Sequence, residues 1–125
     1  MNQGATMFYL RDAQRFPVAC IASLVDDHPE DENQVIVRYA MSVYNDSDRR
    51  QRPGEFPYNQ ERARQIAEGR LKRDKKSCTI QALRGAVKRA VLENIMISSI
   101  RPQVIQACMN WIMEQENAKA VEQNS

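Results

Sequence analysis

Apolar and polar positions follow two different rhythms in this chain, with the change near its middle. Over residues 34–44, "QVIVRYAMSVY" sets Val35, Val37, Tyr39, Met41 and Val43 on one face of an extended segment and Ile36, Arg38, Ala40, Ser42 and Tyr44 on the other. A period of two is that of a half-buried strand, and the first, more apolar set faces the core. Upstream, "MFYL" (7–10) and "FPVACIASLV" (16–25) are rich in β-branched, aromatic and small apolar residues, and the short polar "RDAQR" between them suits a hairpin connection. Pro17 stands near the start of its run, where a missing N–H is tolerated. The acidic "DDHPEDEN" (26–33) reads as a solvated loop and "NDSD" (45–48) as a turn.

After residue 58 the spacing becomes helical. Asn59 is a candidate N-cap, Glu61 complements the dipole of a first turn, and Ala63, Ile66, Ala67 and Leu71 recur on one face, predicting a helix over 59–73. Gly69 weakens that helix by about 1 kcal/mol relative to Ala, which either permits close packing on the sheet or marks an early end. Thr79 is expected to cap a second helix over 80–98, with the stripe Ile80, Leu83, Val87, Val91 and Ile95. "SSIRP" interrupts it, and Pro102 opens a third helix over 102–118 that should bury Ile105, Cys108, Met109 and Ile112, with Trp111 to one side. The expected fold class is α+β: a three-stranded antiparallel meander followed by three helices. The 125 residues suit a single domain, strand-rich over 7–44, with a basic connector over 45–58, a helical part over 59–118 and a frayed tail over 119–125.

Composition adds a location and a charge pattern. No apolar run reaches the length of about 18 residues that a membrane span needs, and the first six residues lack a basic start and apolar core, so a cytoplasmic protein without membrane contact is expected. Cys20, Cys78 and Cys108 are odd in number and widely spaced, which predicts reduced thiols at or near the core. Cys78 is the one to watch, because nearby lysines and a helix start would both lower a thiol pKa. The net charge of +2 conceals a strong division. Residues 1–48 carry Arg11, Arg15 and Arg38 against eight acidic side chains, net −5; residues 49–89 carry thirteen basic against four acidic, net +9; the remainder is −2. Such a bipolar molecule speaks of partners more than of fold.

Catalytic equipment is scarce. Proton-shuttling triads need a histidine, and the single one, His28, lies in the acidic loop. With Asp26, Asp27, Glu30 and Asp31 it offers oxygen ligands, yet the spacing lacks the glycine and terminal glutamate of a calcium loop, and solvation is the simpler account. A two-metal nuclease built on Asp46, Asp48, Glu55, Glu61 and Lys72 would set its carboxylates in a turn and connector rather than on a rigid strand end. No phosphate-cradling glycine motif is present, and no cofactor is expected.

The positive segment remains. "ERARQIAEGRLKRDKK" (61–76) holds seven Arg or Lys side chains. Arg62, Arg64, Arg70, Lys72 and Arg73 frame the apolar stripe of the first helix, Arg84 and Lys88 add to the second, and Arg49, Arg50 and Arg52 in the connector form a candidate clamp. A solvated helix face explains any single piece, but less well the net +9. These ten residues are the candidate contacts for a protein or nucleic-acid partner. Direct nucleic-acid binding uses such cations to release counterions, but aromatic platforms are limited to Phe56 and Tyr58. A protein partner suits the bipolarity as well, since opposed charges steer and orient docking, and a homodimer would also satisfy it.

The order "PVACIASL", "YAMSVYNDSD" and "ERARQIAEGRL" resembles a group of small uncharacterised bacteriophage and prophage proteins, in which a short meander with a Ser-Val-x-Asn turn precedes a helix bearing Arg-x-Ile-Ala-x-Gly-Arg. The resemblance covers roughly residues 7–72, and Asn45-Asp46 stands where such patterns have Asn-Pro. It implies a phage-type origin and supplies no catalytic residues. The expected function is therefore that of a small non-enzymatic binding protein, a regulator or inhibitor docking on a host or viral assembly that handles nucleic acid. Direct DNA or RNA binding through the same residues is the alternative.

Overall fold

A computed structural model describes residues 5–43 and 60–123. The connector, with Arg49, Arg50 and Arg52, the carboxylates Asp46 and Asp48, the aromatics Phe56 and Tyr58 and the expected cap Asn59, lies outside the described residues. Four strands form one antiparallel sheet in chain order: β1 (Thr6–Arg11), β2 (Pro17–Asp27), β3 (Gln34–Val43) and β4 (Ser77–Leu83). Helix α1 (Gln60–Lys72) lies between β3 and β4 in the chain, and α2 (Val87–Ser98) and α3 (Pro102–Gln123) follow β4. The class is α+β, and the meander is the expected one with a fourth strand added.

That fourth strand corrects the expected helix over 80–98. Thr79 lies inside β4 instead of capping a helix, and α2 begins only at Val87. Cys78, Ile80 and Ala82 pair with Tyr39, Val37 and Val35, so a period of two runs through the residues that also match helical spacing. The strand prevails because the free edge of β3 can satisfy its backbone groups while Ile80 and Ala82 join the core. Leu83, assigned to the helical stripe, is 60% exposed. Gly85 ends the strand at φ +92°, a conformation that favours glycine.

The β1–β2 connection spans residues 12–16, in which Asp12 and Phe16 close a three-residue loop. The Arg15 N–H donates to the Asp12 carbonyl and the Asp12 N–H to that of Phe16, with Arg15 left-handed at φ +72°. Asp12 Oδ1 accepts the N–H groups of Gln14 and Phe16. Pro17 is the first residue of β2 and lies opposite Arg11, where the register shifts.

The sheet is covered on both faces. On one, Leu10, Ile21, Val35, Val37 and Tyr39 pack with Val91, Leu92 and Ile95 of α2 and Val104, Ala107 and Cys108 of α3. On the other, Cys20, Ala22 and Ala40 meet Ala63, Ala67 and Leu71 of α1. Small side chains on both partners let that helix lie close to the strands. Burial on two faces explains why β2 reads as a continuous apolar run, buried without a break from Pro17 to Ser23.

Helix α3 differs from expectation in face and length. Its buried stripe is Val104, Ala107 and Cys108, with Trp111 and Ile112 partly covered, whereas Met109 is exposed. The i, i+3, i+4, i+7 spacing starting at Val104 turns the helix away from the Ile105–Met109 face. It runs on to Gln123, through part of the expected frayed tail, and residues 113–119 are all exposed.

Candidate anion-binding cleft

The basic residues that sequence spacing groups together are divided by the fold. Arg62 and Arg64 lie exposed on the first turns of α1. Lys72 Nζ pairs with Glu68 at 3.0 Å along the same helix. Arg73 folds its guanidinium over Gly69, where an added Cβ would lie 3.1 Å from Nη2; the glycine makes room for this side chain. Arg84 is engaged elsewhere: its Nε donates to the Glu32 carbonyl at 3.1 Å and its Nη2 to Asp27 Oδ1 at 3.0 Å, clasping the β2–β3 hairpin to the end of β4. Lys88 is on α2, across the sheet from α1, with Nζ 5.0 Å from the centre of the Phe8 ring and 4.9 Å from that of Trp111. Arg89 bridges Glu93 and Glu116, tying α2 to the exposed half of α3.

Arg70 is the member of the set that reaches the open end of β4. β4 begins opposite Ala40, so Met41, Ser42 and Val43 run past its end. Arg70 Nη1 donates to the Met41 carbonyl there at 2.7 Å. Below α1 and the α2–α3 corner, a cleft of about 470 Å³ opens, into which Lys76 and Arg101 also come. The end of α1 sets this up. Lys75 N–H donates to the Arg70 carbonyl and Asp74 N–H to that of Leu71, with Asp74 at φ +52°, a paired closure that reverses the chain into β4. Lys76 follows, also left-handed at φ +56°. On the far side, the Arg101 N–H donates to Ser99 Oγ, holding the corner residue beside Ser98 and Ile100.

Tyr39 lies at this cleft, 4% exposed, within hydrogen-bonding reach of Cys78, Ser98 and Asn94. Burial, reinforced by the neighbouring Cys78, raises its pKa, so the hydroxyl remains protonated and polar rather than charged. Three cations with serine and phenol hydroxyls can receive a carboxylate or phosphate oxygen cluster, and guanidinium groups do so with directed, charge-assisted bonds. Lys76 and Arg101 were not among the sequence candidates. Lys76 was visible in the basic run, but Arg101 stands in what reads as a helix break; only the register of β4 on β3 joins them.

Cys78 is exposed in β4 rather than at the start of a helix, which places it outside the core. Cys20 and Cys108 are buried, and burial pushes both thiols up, Cys108 to about 11. His28 Nδ1 accepts the N–H groups of Glu30 and Asp31, both at 3.0 Å, and so organises the turn of the acidic hairpin. Among the described residues, no group of three or more His, Cys, Asp or Glu is arranged to hold a metal ion, and no helix is long and apolar enough to cross a membrane. In comparisons with known proteins, no family model, no curated protein and no solved structure matches the chain.

Proposed function

We propose that this chain is a small, non-enzymatic binding protein that docks on a larger macromolecular assembly, its basic cleft receiving a carboxylate-bearing surface of a partner protein. The observation that carries this reading is the meeting of Arg70, Lys76 and Arg101 beside Ile100, which is 93% exposed. Ile97, 84% exposed, stands three residues earlier at the end of α2. Cations bordered by bare isoleucines form an anchor and a steering field together, the combination of a protein interface. The sequence resemblance to phage-type proteins favours a regulatory or inhibitory role on an assembly that handles nucleic acid. Direct nucleic-acid binding is the second reading, favoured by the further exposed cations Arg62, Arg64, Lys72 and Lys75 along and beyond α1.

A capture experiment separates the two. Immobilised protein is challenged with nuclease-treated bacterial lysate, in parallel with an Ile100→Asp/Arg101→Glu variant whose changes fall on exposed side chains. A partner retained by the unmodified protein and lost by the variant supports the docking reading. Loss of that partner on nuclease treatment, together with retardation of a labelled duplex at about 50 mM salt that fades by about 200 mM, transfers the function to nucleic acid. Equal capture by both proteins, or by neither, refutes the cleft as the docking site.

A further inference from the structure

A second groove lies at the β1 edge of the sheet, between β1 and α3. Its volume is about 520 Å³, and Tyr9, Leu10, Arg11, Lys88, Trp111 and Met113 are among its walls. In the strand order β1 is an edge, so its outer side has no strand neighbour among the described strands. Ala107, Asn110, Trp111, Met113 and Glu114 of α3 form the facing wall. An edge strand that borders an open groove can receive an extended peptide as an added strand, with backbone pairing for affinity and alternate side chains for selectivity.

We infer that this groove binds an extended acidic peptide, which adds to β1 as a fifth strand and places a carboxylate against Lys88. The choice of occupant follows from charge. Lys88 is half-buried between two aromatic rings, and among the described residues no carboxylate pairs with it. Ring quadrupoles offset part of the cost of burying an ammonium group, while a carboxylate would complete its environment. Desolvation holds its pKa below the usual lysine range, in keeping with an incomplete shell. The groove's own acids do not fill this role: Asp12 Oδ1 is committed to the hairpin, and Glu114 belongs to the exposed end of α3.

Pairing alternation fixes what the added strand meets. Phe8 and Leu10 face the Lys88 side and pack in the larger core, whereas Met7 and Tyr9 face α1. Residues of the peptide opposite Phe8 and Leu10 therefore point toward Lys88 and Trp111, and those between them toward Tyr9 and Arg11. A second copy of this chain is a poorer occupant. The strand it would offer, "TMFYLR", has no acidic side chain for Lys88 and brings Arg11 with it.

Trp111 is the only tryptophan in the chain, so its emission reports on the groove directly. The probe is an acetylated, amidated heptapeptide of alternating valine and glutamate. Saturable change of Trp111 emission, with slowed hydrogen exchange of the amides of residues 6–11, is the expected result. A matched peptide with lysine for glutamate, and an N-methylated version unable to pair as a strand, should both fail. Lys88→Met should weaken binding by about tenfold or more, and Lys88→Arg should restore it. Absence of any change up to about 1 mM peptide overturns the proposal. So does equal binding of the N-methylated peptide, indifference to Lys88→Met, or a protein that is already a dimer with protected β1 amides before peptide is added.

Discussion

Arg15 holds its backbone at φ +72° in a hairpin position where glycine is the natural occupant. Its side chain gives little in return, since the loop is closed by backbone groups and by Asp12, with Arg11 Nη1 donating to the Arg15 carbonyl rather than to the side chain. Arg15→Gly should therefore raise stability by about 1 kcal/mol, read as a higher urea midpoint at unchanged slope. Gly85 supplies the converse. Nothing lies within 4 Å of a Cβ built there, so Gly85→Ala meets no steric obstacle and should still lose about 1–2 kcal/mol from its φ of +92° alone. Equal stability of the alanine variant would show that the β4–α2 turn adjusts without cost.

At the scale of elements, α1 depends on closeness rather than on apolar bulk. Ala63, Ala67 and Leu71 recur every fourth residue, and Ala67 and Leu71 are fully buried over Cys20, Ala22 and Ala40. Ala67→Leu should push the helix off the sheet and cost about 1–3 kcal/mol, whereas Ala118→Leu on the exposed end of α3 should stay within about 0.5 kcal/mol. Paired urea titrations give both numbers. A single period located α1 and β3, and apolar composition between polar flanks located β1 and β2. Neither signal located β4, because Ile80, Leu83 and Val87 satisfy a helical stripe while Cys78, Ile80 and Ala82 satisfy a strand, and only the open edge of β3 decides between them. Gly85 was the available signal. The cleft was hidden for the same reason: Arg70, Lys76 and Arg101 become neighbours only after β4 is paired, and Arg84 and Lys88, adjacent on an imagined helix, are sent to opposite duties by the turn between them.

For the whole molecule, the buried acids set a pH limit. Cys20, Cys108 and Tyr39 are each nearly or fully enclosed, and burial raises all three pKa values, Cys108 from 9.0 to about 11 and Tyr39 from 10.0 upward. Each is neutral while protonated, so above pH 9 the unfolded chain releases these protons before the folded one does. The folded state then binds more protons, and stability falls as pH rises. For Cys108 the loss runs between pH 9.0 and about 11, approaching a slope of about 1.4 kcal/mol per pH unit within that window. Lys88 acts in the opposite sense, because its lowered pKa makes the unfolded chain the better proton binder as pH approaches 10.5, whereas the raised pKa of the less buried Tyr9 adds to the decline. The urea midpoint should thus decline from pH 9 to pH 11, and Cys108→Ala should flatten the decline while leaving the part due to Cys20 and Tyr39. A slope unchanged by that substitution would mean that water reaches the Cys108 thiol in the folded protein, and that the junction of α3 with the sheet opens on the timescale of titration.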